Sequence, residues 1–256
     1  MDRAPSASTS AALQSRSPKD SLMIYLEQEG GSMILVVNCF NEEAFAVDFD
    51  RVVFSHFQRD GHPCQSIRAV QIPERTDLAG FSHLVISGSV ASATEEQPWD
   101  RDLAGLVRQF VANRKPVLGI CYGHQFLAKV LAGPRHVRRA AQCEFGFLPL
   151  RLAPNPLFQG LGEALVMASH FDEACDLPGE FKVLAASPDC AVHAFQYRDL
   201  PVWGVQFHPE YGAEEGATIW NEVFCCTPER IPAPPAEPAR MERNHLIFTN
   251  FAKAGA

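Results

Sequence analysis

The chain has 256 residues, 46% of them hydrophobic and 20% charged, which is enough apolar sequence to build one well-packed core. Its 30 acidic against 22 basic residues leave a net charge of −8. That balance argues against a nucleic-acid binder, which would carry a basic excess or a clustered Lys/Arg face. No run approaches the roughly 18 to 20 apolar residues of a membrane helix, and the N-terminus lacks a signal peptide's basic, apolar and small-residue order.

Residues 1–20 are rich in Ser and Ala with scattered charge, so 1–32 read as a disordered extension ahead of a folded unit over 33–256. Met33–Val37 is a continuous apolar run, as expected of a strand buried on both faces. Asn41 to about Phe57 carries apolar residues near helical spacing. Ile67–Ile72 and His83–Ile86 follow as strands. Trp99 to about Asn113 reads as an amphipathic helix with Leu103, Leu106, Phe110 and Val111 on one side. Pro116–Ile120 is a fourth strand and Tyr122–Leu131 a helix. Arg135, Arg138 and Arg139 form a local basic cluster, read as a solvated turn in preference to a small anion-facing patch.

The second half changes character. Phe145–Leu152, Ala164–Ala168, Lys182–Ala186, Ala191–Tyr197 and Val202–Phe207 are short, strand-like and separated by Pro, Gly or Asp, which suggests antiparallel additions to the sheet. Glu214–Phe224 reads as a helix, 228–240 as a Pro-rich exposed loop and Leu246–Phe251 as a terminal helix. The fold class is therefore α/β, a mostly parallel central sheet flanked by helices with additional antiparallel strands.

Eight cysteines are present, Cys39, Cys64, Cys121, Cys143, Cys175, Cys190, Cys225 and Cys226. None forms a C-x-x-C pair and no Cys/His set has zinc-finger spacing, so neither a metal nor a cofactor is expected. Without an export signal the reduced cytoplasm is the expected compartment, where most of these thiols are ordinary small apolar residues.

Cys121 is the exception. Strand 116–120 runs directly into Gly119-Ile120-Cys121-Tyr122-Gly123, the thiol counterpart of the G-x-S-x-G elbow. A nucleophile on such a turn sits in a strained backbone, and its neighbours two residues away must lack bulk so that strand and helix can approach. The helix that follows directs free N–H groups and its positive end at the sulfur, which favours thiolate. A thiol nucleophile needs a base and a group to orient it. Val202-Trp-Gly-Val-Gln-Phe-His-Pro-Glu210 supplies both. His208 ends a strand, Glu210 lies two residues on and points the same way, and Pro209 keeps the segment extended. Among the other histidines, His124 reads as a packing residue within the helix, His83 and His193 as structural, and His56, His62, His136 and His245 as exposed. His170 stands between a structural and a substrate-loop role.

Gly119-Ile-Cys-Tyr-Gly-His-Gln125 together with Val205-Gln-Phe-His-Pro-Glu210 resembles the class I, triad-type glutamine amidotransferases, over roughly residues 33–225. Within them the closest likeness is to stand-alone GMP-synthase-like amidotransferase domains, through Leu84-Val-Ile-Ser-Gly-Ser-Val-Ala-Ser92 and Pro98-Trp99. The resemblance implies a flavodoxin-like fold in which Cys121 attacks the glutamine carboxamide, His208 moves the proton and a γ-glutamyl thioester forms. It places the oxyanion hole at the backbone N–H groups of Tyr122 and Ser89, the latter next to Gly88. It assigns substrate binding to Gln125, Ser169 and His170. The usual Gly-Gly-Pro loop is Gly88-Ser89-Val90 here, and Ser89 makes a peptide flip harder.

The expected ligand is glutamine or another γ-glutamyl compound. No phosphate loop of the P-loop kind and no S-G-G-x-D-S pyrophosphatase signature is present, so either a separate synthetase chain receives the ammonia or the domain works alone as a glutaminase. Two alternatives accompany that reading. One is a γ-glutamyl peptidase with the same fold and triad. The other is a silent regulatory or binding domain, against which the intact Cys121, His208 and Glu210 argue.

Overall fold

The apolar run that opens at Met33 forms strand β1 (Met33–Asn38), and it is apolar because β1 is paired on both edges and covered on both faces. The computed structural model describes residues 33–73, 76–223, 233 and 235–255, with 221–223 in backbone only. The expected N-terminal extension lies outside the described residues, as does most of the Pro-rich stretch. The end of that stretch, Pro238–Asn244, is a 3-10 helix.

After β1 come α1 (Glu43–Arg59), β2 (Cys64–Arg68), β3 (Phe81–Ile86), α2 (Asp100–Ala112), β4 (Val117–Ile120) and α3 (Tyr122–Leu131). Then follow β5 (Val137–Arg151), β6 (Glu163–Ala174), β7 (Phe181–Ala185), β8 (Ala194–Tyr197), β9 (Val202–Val205), α4 (Ala213–Val223) and α5 (His245–Ala252). The main sheet has the order β2-β1-β3-β4-β9-β8-β7. Its first five strands are mutually parallel, and β8 runs antiparallel to both β9 and β7. All five parallel strands therefore end on one side, where open α/β sheets place their ligands.

Helical spacing explains how the sheet is covered. α1 buries Ala46, Phe49, Val52, Val53 and Phe57, recurring every three or four residues. Of these, Phe49, Val53 and Phe57 share one cluster with Phe248 and Phe251 of α5, Ile34 and Val36 of β1, and Leu118 and Ile120 of β4. Helices α2 and α3 pack against β4 and each other. Among the described residues no helix is long and apolar enough to cross a membrane.

The structure departs from the sequence reading in three places. The second strand is Cys64–Arg68, not Ile67–Ile72, and Ala69–Gln71 turns into a 3-10 helix. Its register against β1 runs from Ile34↔Cys64 to Asn38↔Arg68, so the ladder stops where β1 stops. As an edge strand of half-buried residues it carries a weak hydrophobic signal. The second-half strands are not all antiparallel additions, since β9 is the parallel neighbour of β4. Strands β5 and β6 do not join the main sheet but pair with each other in a separate ribbon, longer than the expected 145–152 and 164–168. The N-terminal part of β5 is largely exposed, so its residues lack the apolar alternation that marks a strand.

The C-terminal helix is a structural keystone for this face. Phe248 is fully buried, stacked on His56 at 4.5 Å and edge-on to Phe57 at 5.5 Å. Phe248→Ala is expected to lower unfolding stability by about 3–5 kcal/mol in urea titrations, through lost transfer energy and an unfilled cavity.

Candidate active site

Strand β4 passes into helix α3 through Cys121, whose backbone has φ 50 and ψ −102. A non-glycine residue rarely adopts such a conformation, and it persists only when its surroundings enforce it. Two glycines do so here. A Cβ at Gly119 would lie 2.4 Å from the Gly123 carbonyl oxygen, and one at Gly123 would lie 2.4 Å from the Ile86 carbonyl oxygen. The Cys121 N–H donates to the Val205 carbonyl at 2.8 Å, and the Gly123 N–H to Ser87 at 3.1 Å. The elbow is thus tied to β9 on one side and to the end of β3 on the other.

β9 delivers the second group. Beyond Val205 the chain stays extended, with the His208 N–H donating to the Met167 carbonyl at 2.8 Å. The His208 side chain is thereby set beside Cys121, both in the wall of one cavity and both within 4 Å of a Cβ built at Gly88. Its other face meets Glu210, with Nδ1 2.7 Å from Oε1. Burial by itself pushes the His208 pKa down, but the Glu210 carboxylate and the Cys121 sulfur outweigh it and hold the value well above that of an ordinary histidine. Glu210 is 2% exposed, and its Oε2 has no hydrogen-bond partner among the described residues. Its charge is therefore directed onto His208.

Cys121, His208, Ser89, Gln125, Ser169 and His170 all line one cavity of about 170 Å³. Gly88 lies behind it, where a Cβ would come 3.2 Å from His208 Cε1. The Gln125 amide donates to the Asp172 carbonyl at 2.7 Å and to Gln206 Oε1 at 3.2 Å. The Cys121 sulfur lies 3.7 Å from the Ser169 carbonyl and 3.7 Å from Gln206 Nε2. Both ring nitrogens of His170 are turned to protein groups, Glu144 at 3.0 Å and the Asp172 carbonyl at 3.1 Å.

Several contributors escaped the sequence reading. Arg139 lines the cavity, lying over the Phe171 ring at 4.5 Å and 3.5 Å from Asp172, so it is not only a solvated turn residue. Asp172 also accepts from the Ser92 hydroxyl at 2.6 Å. His56 is not exposed but half-buried, and its Nε2 donates to the Glu210 carbonyl at 3.0 Å. His136 is likewise buried, with Nδ1 3.2 Å from the Cys175 carbonyl. These residues are far apart in sequence and belong to no local motif.

Residues 47–225 match the sequence profile of the family described as Glutamine amidotransferase class-I. The chain belongs to the class I glutamine amidotransferases. Similar relatives include a protein of Thermococcus kodakarensis named as one subunit of glutamine-hydrolyzing GMP synthase, 35% identical over 60% of this chain and 83% of that protein. The glutamine-hydrolyzing GMP synthase of Symbiobacterium thermophilum is 48% identical over 54% of this chain but 26% of its own longer sequence. A solved glutamine amidotransferase structure from Methylobacillus flagellatus superposes with a TM-score of 0.69, covering 87% of this chain and 95% of its own at 20% identity, which bears on the fold alone.

Two measurements probe the geometry of this amidotransferase. Gly123→Ala is expected to dismantle the elbow, because a backbone oxygen at 2.4 Å cannot yield as a side chain can, and thermal unfolding should show a marked loss of stability. In histidine NMR titrations His208 should keep its second proton well above about pH 6.5, and Glu210→Gln should bring that titration down. The contribution of this pair is complete below the unfolded value and is lost as pH rises through the raised folded value.

Proposed function

We propose that Cys121, His208 and Glu210 act as a catalytic triad that hydrolyses the side-chain amide of glutamine, supplying ammonia to a separate acceptor chain. The observation that carries this reading is the placement of Cys121, at a strained elbow, and His208 in the wall of one cavity, with His208 Nδ1 2.7 Å from Glu210 Oε1. His208 takes the thiol proton and the thiolate attacks the carboxamide carbon. The same imidazolium then protonates the departing nitrogen, so ammonia leaves and a γ-glutamyl thioester remains. Water, deprotonated by His208, attacks the thioester, and glutamate departs as the thiol is restored.

The tetrahedral oxyanion needs donors fixed in advance. Neither the Ser89 nor the Tyr122 N–H has an acceptor among the described residues, which leaves both available. The Ser89 hydroxyl donates to the Cys39 carbonyl at 2.7 Å and accepts from the Ala91 N–H at 3.0 Å. The Ser87 hydroxyl donates to the Gly88 carbonyl at 2.7 Å. These bonds hold the peptide between Gly88 and Ser89 at both ends, in keeping with a loop that resists flipping. At the far side of the cavity, Arg139 and Asp172 offer opposite charges to the two ends of a zwitterionic amino acid. Gln125, Ser169 and His170 shape the wall between.

The acceptor reading draws on the relatives named as one subunit of a glutamine-hydrolyzing GMP synthase, a name that implies a further chain. The test is release of glutamate and ammonia from glutamine, measured alone and with candidate synthetase chains that co-purify. Cys121→Ala should lose at least about 10⁴-fold in turnover with unchanged urea stability. A diazo-ketone analogue of glutamine should form an adduct at Cys121 in the unmodified protein. Turnover of γ-glutamyl peptides far above that of glutamine would overturn the ammonia-donor reading in favour of a peptidase. Absence of any adduct would favour a binding domain.

A further inference from the structure

Behind the cavity wall lies a second constellation, of which the proposed site uses only His170. Glu144 of β5 and His170 of β6 are direct cross-strand partners in the ribbon. Cys190 and His193 come from the connection between β7 and β8. The four ligand-type atoms lie within 4.8 Å of one another, and the residues are 7%, 2%, 0% and 0% exposed in chain order. The sequence gives no hint of it, because the positions are 26, 20 and 3 residues apart (144, 170, 190, 193) and match no metal motif.

The outer contacts are those of a metal centre. His170 Nδ1 faces the Asp172 carbonyl at 3.1 Å, an acceptor that fixes the proton there and turns Nε2 toward the cluster. Glu144 Oε1 accepts from the Ser187 hydroxyl at 2.7 Å, leaving Oε2 to face His170 Nε2 at 3.0 Å and His193 Nε2 at 2.8 Å. The Cys190 N–H in turn donates to Ser187 Oγ at 2.9 Å, so one hydroxyl braces both the carboxylate and the thiol. Hydrogen bonding alone leaves an awkward arrangement. Glu144 accepts from His170, His193 and Ser187, while the buried free thiol of Cys190 in the same cluster is not among those donors.

We propose that Glu144, His170, Cys190 and His193 bind one divalent transition-metal ion of the zinc class, which braces the wall of the cavity from behind. Two imidazoles, one thiolate and one carboxylate suit zinc and exclude the hard, all-oxygen preferences of magnesium and calcium. Bonds of about 2.0–2.3 Å place tetrahedral ligand atoms roughly 3.3–3.8 Å apart, so metal binding would draw in the widest separations, up to 4.8 Å, and open the 2.8 and 3.0 Å contacts of Glu144 with His193 and His170. The ion takes the place of the thiol proton and of the ring protons facing Glu144, and binding releases them to solvent. Its role is structural. His170 neighbours Ser169, whose carbonyl lies against Cys121, and Asp172, whose carbonyl holds Gln125. The inference does not depend on the glutamine reading, since it would stand if Cys121 were inert.

The experiment treats the full chain with EDTA, dialyses it, and titrates it with Co²⁺ and then Zn²⁺. The expected result is one Co²⁺ per chain, with tetrahedral d–d absorption and a thiolate-to-cobalt charge-transfer band that Zn²⁺ displaces. Cys121→Ala should keep that band. Cys190→Ser should lose it, and His193→Gln, which retains an N–H donor for Glu144, should weaken Co²⁺ binding at least tenfold while circular dichroism stays native. Absence of stoichiometric Co²⁺ in the native-like chain would overturn the proposal. So would a charge-transfer band that survives Cys190→Ser or disappears with Cys121→Ala.

Discussion

The backbone approach at the elbow is the constraint on which the site depends. β4 and α3 can meet at Cys121 only because Gly119 and Gly123 present no side chain, and Gly123 in turn rests on the carbonyl of Ile86 at the end of β3. That second contact fixes more than Cys121. It brings the turn after β3, Ser87–Ser89, beside the start of α3. The strain at Cys121 is sustained by ladder bonds in neighbouring strands, and the surrounding sheet over-determines it.

The electrostatics follow from burial. Glu210 and His208 are almost closed to solvent, so their attraction is little screened and a single contact of 2.7 Å governs the imidazole. A buried carboxylate with only one oxygen engaged is costly, and it is tolerated because the imidazolium lies next to it. His56, stacked on Phe248 of the last helix, holds the carbonyl of the same Glu210. The far end of the chain thus contributes to the position of the acid through packing.

The ribbon β5–β6 has a different task from the sheet. Set apart from the ladder of β4 and β9, it carries the other wall of the cavity on its β6 strand, through Met167, Ser169, His170 and Asp172. Only one bridge among the described residues, Met167 to His208, joins it to the end of β9. The ribbon is otherwise anchored by packing Leu150, Ala164 and Val166 into the main core, and by two polar sets. The contacts of Asp172 with Gln125, Ser92 and Arg139 are one set, and the cluster around Glu144 is another.

The sequence by itself determined the strand-to-helix turn at Cys121 and the placement of His208 beside Glu210, because each rests on local geometry. Glycines two residues either side of a nucleophile, a strand running into a helix, and a His-Pro-Glu in which i and i+2 share a side are all short-range facts. It also determined the βαβ core, since strands buried on both faces must be continuously apolar. It misjudged β2 and the ribbon because edge and exposed strands carry little hydrophobic signal. It could not place Arg139, Asp172 or His56 at the site, nor bring Glu144, His170, Cys190 and His193 together. Those groupings were decided by tertiary structure alone. They depend on cross-strand register and on which strands leave the sheet, and no spacing along the chain encodes distances between residues joined only by the fold.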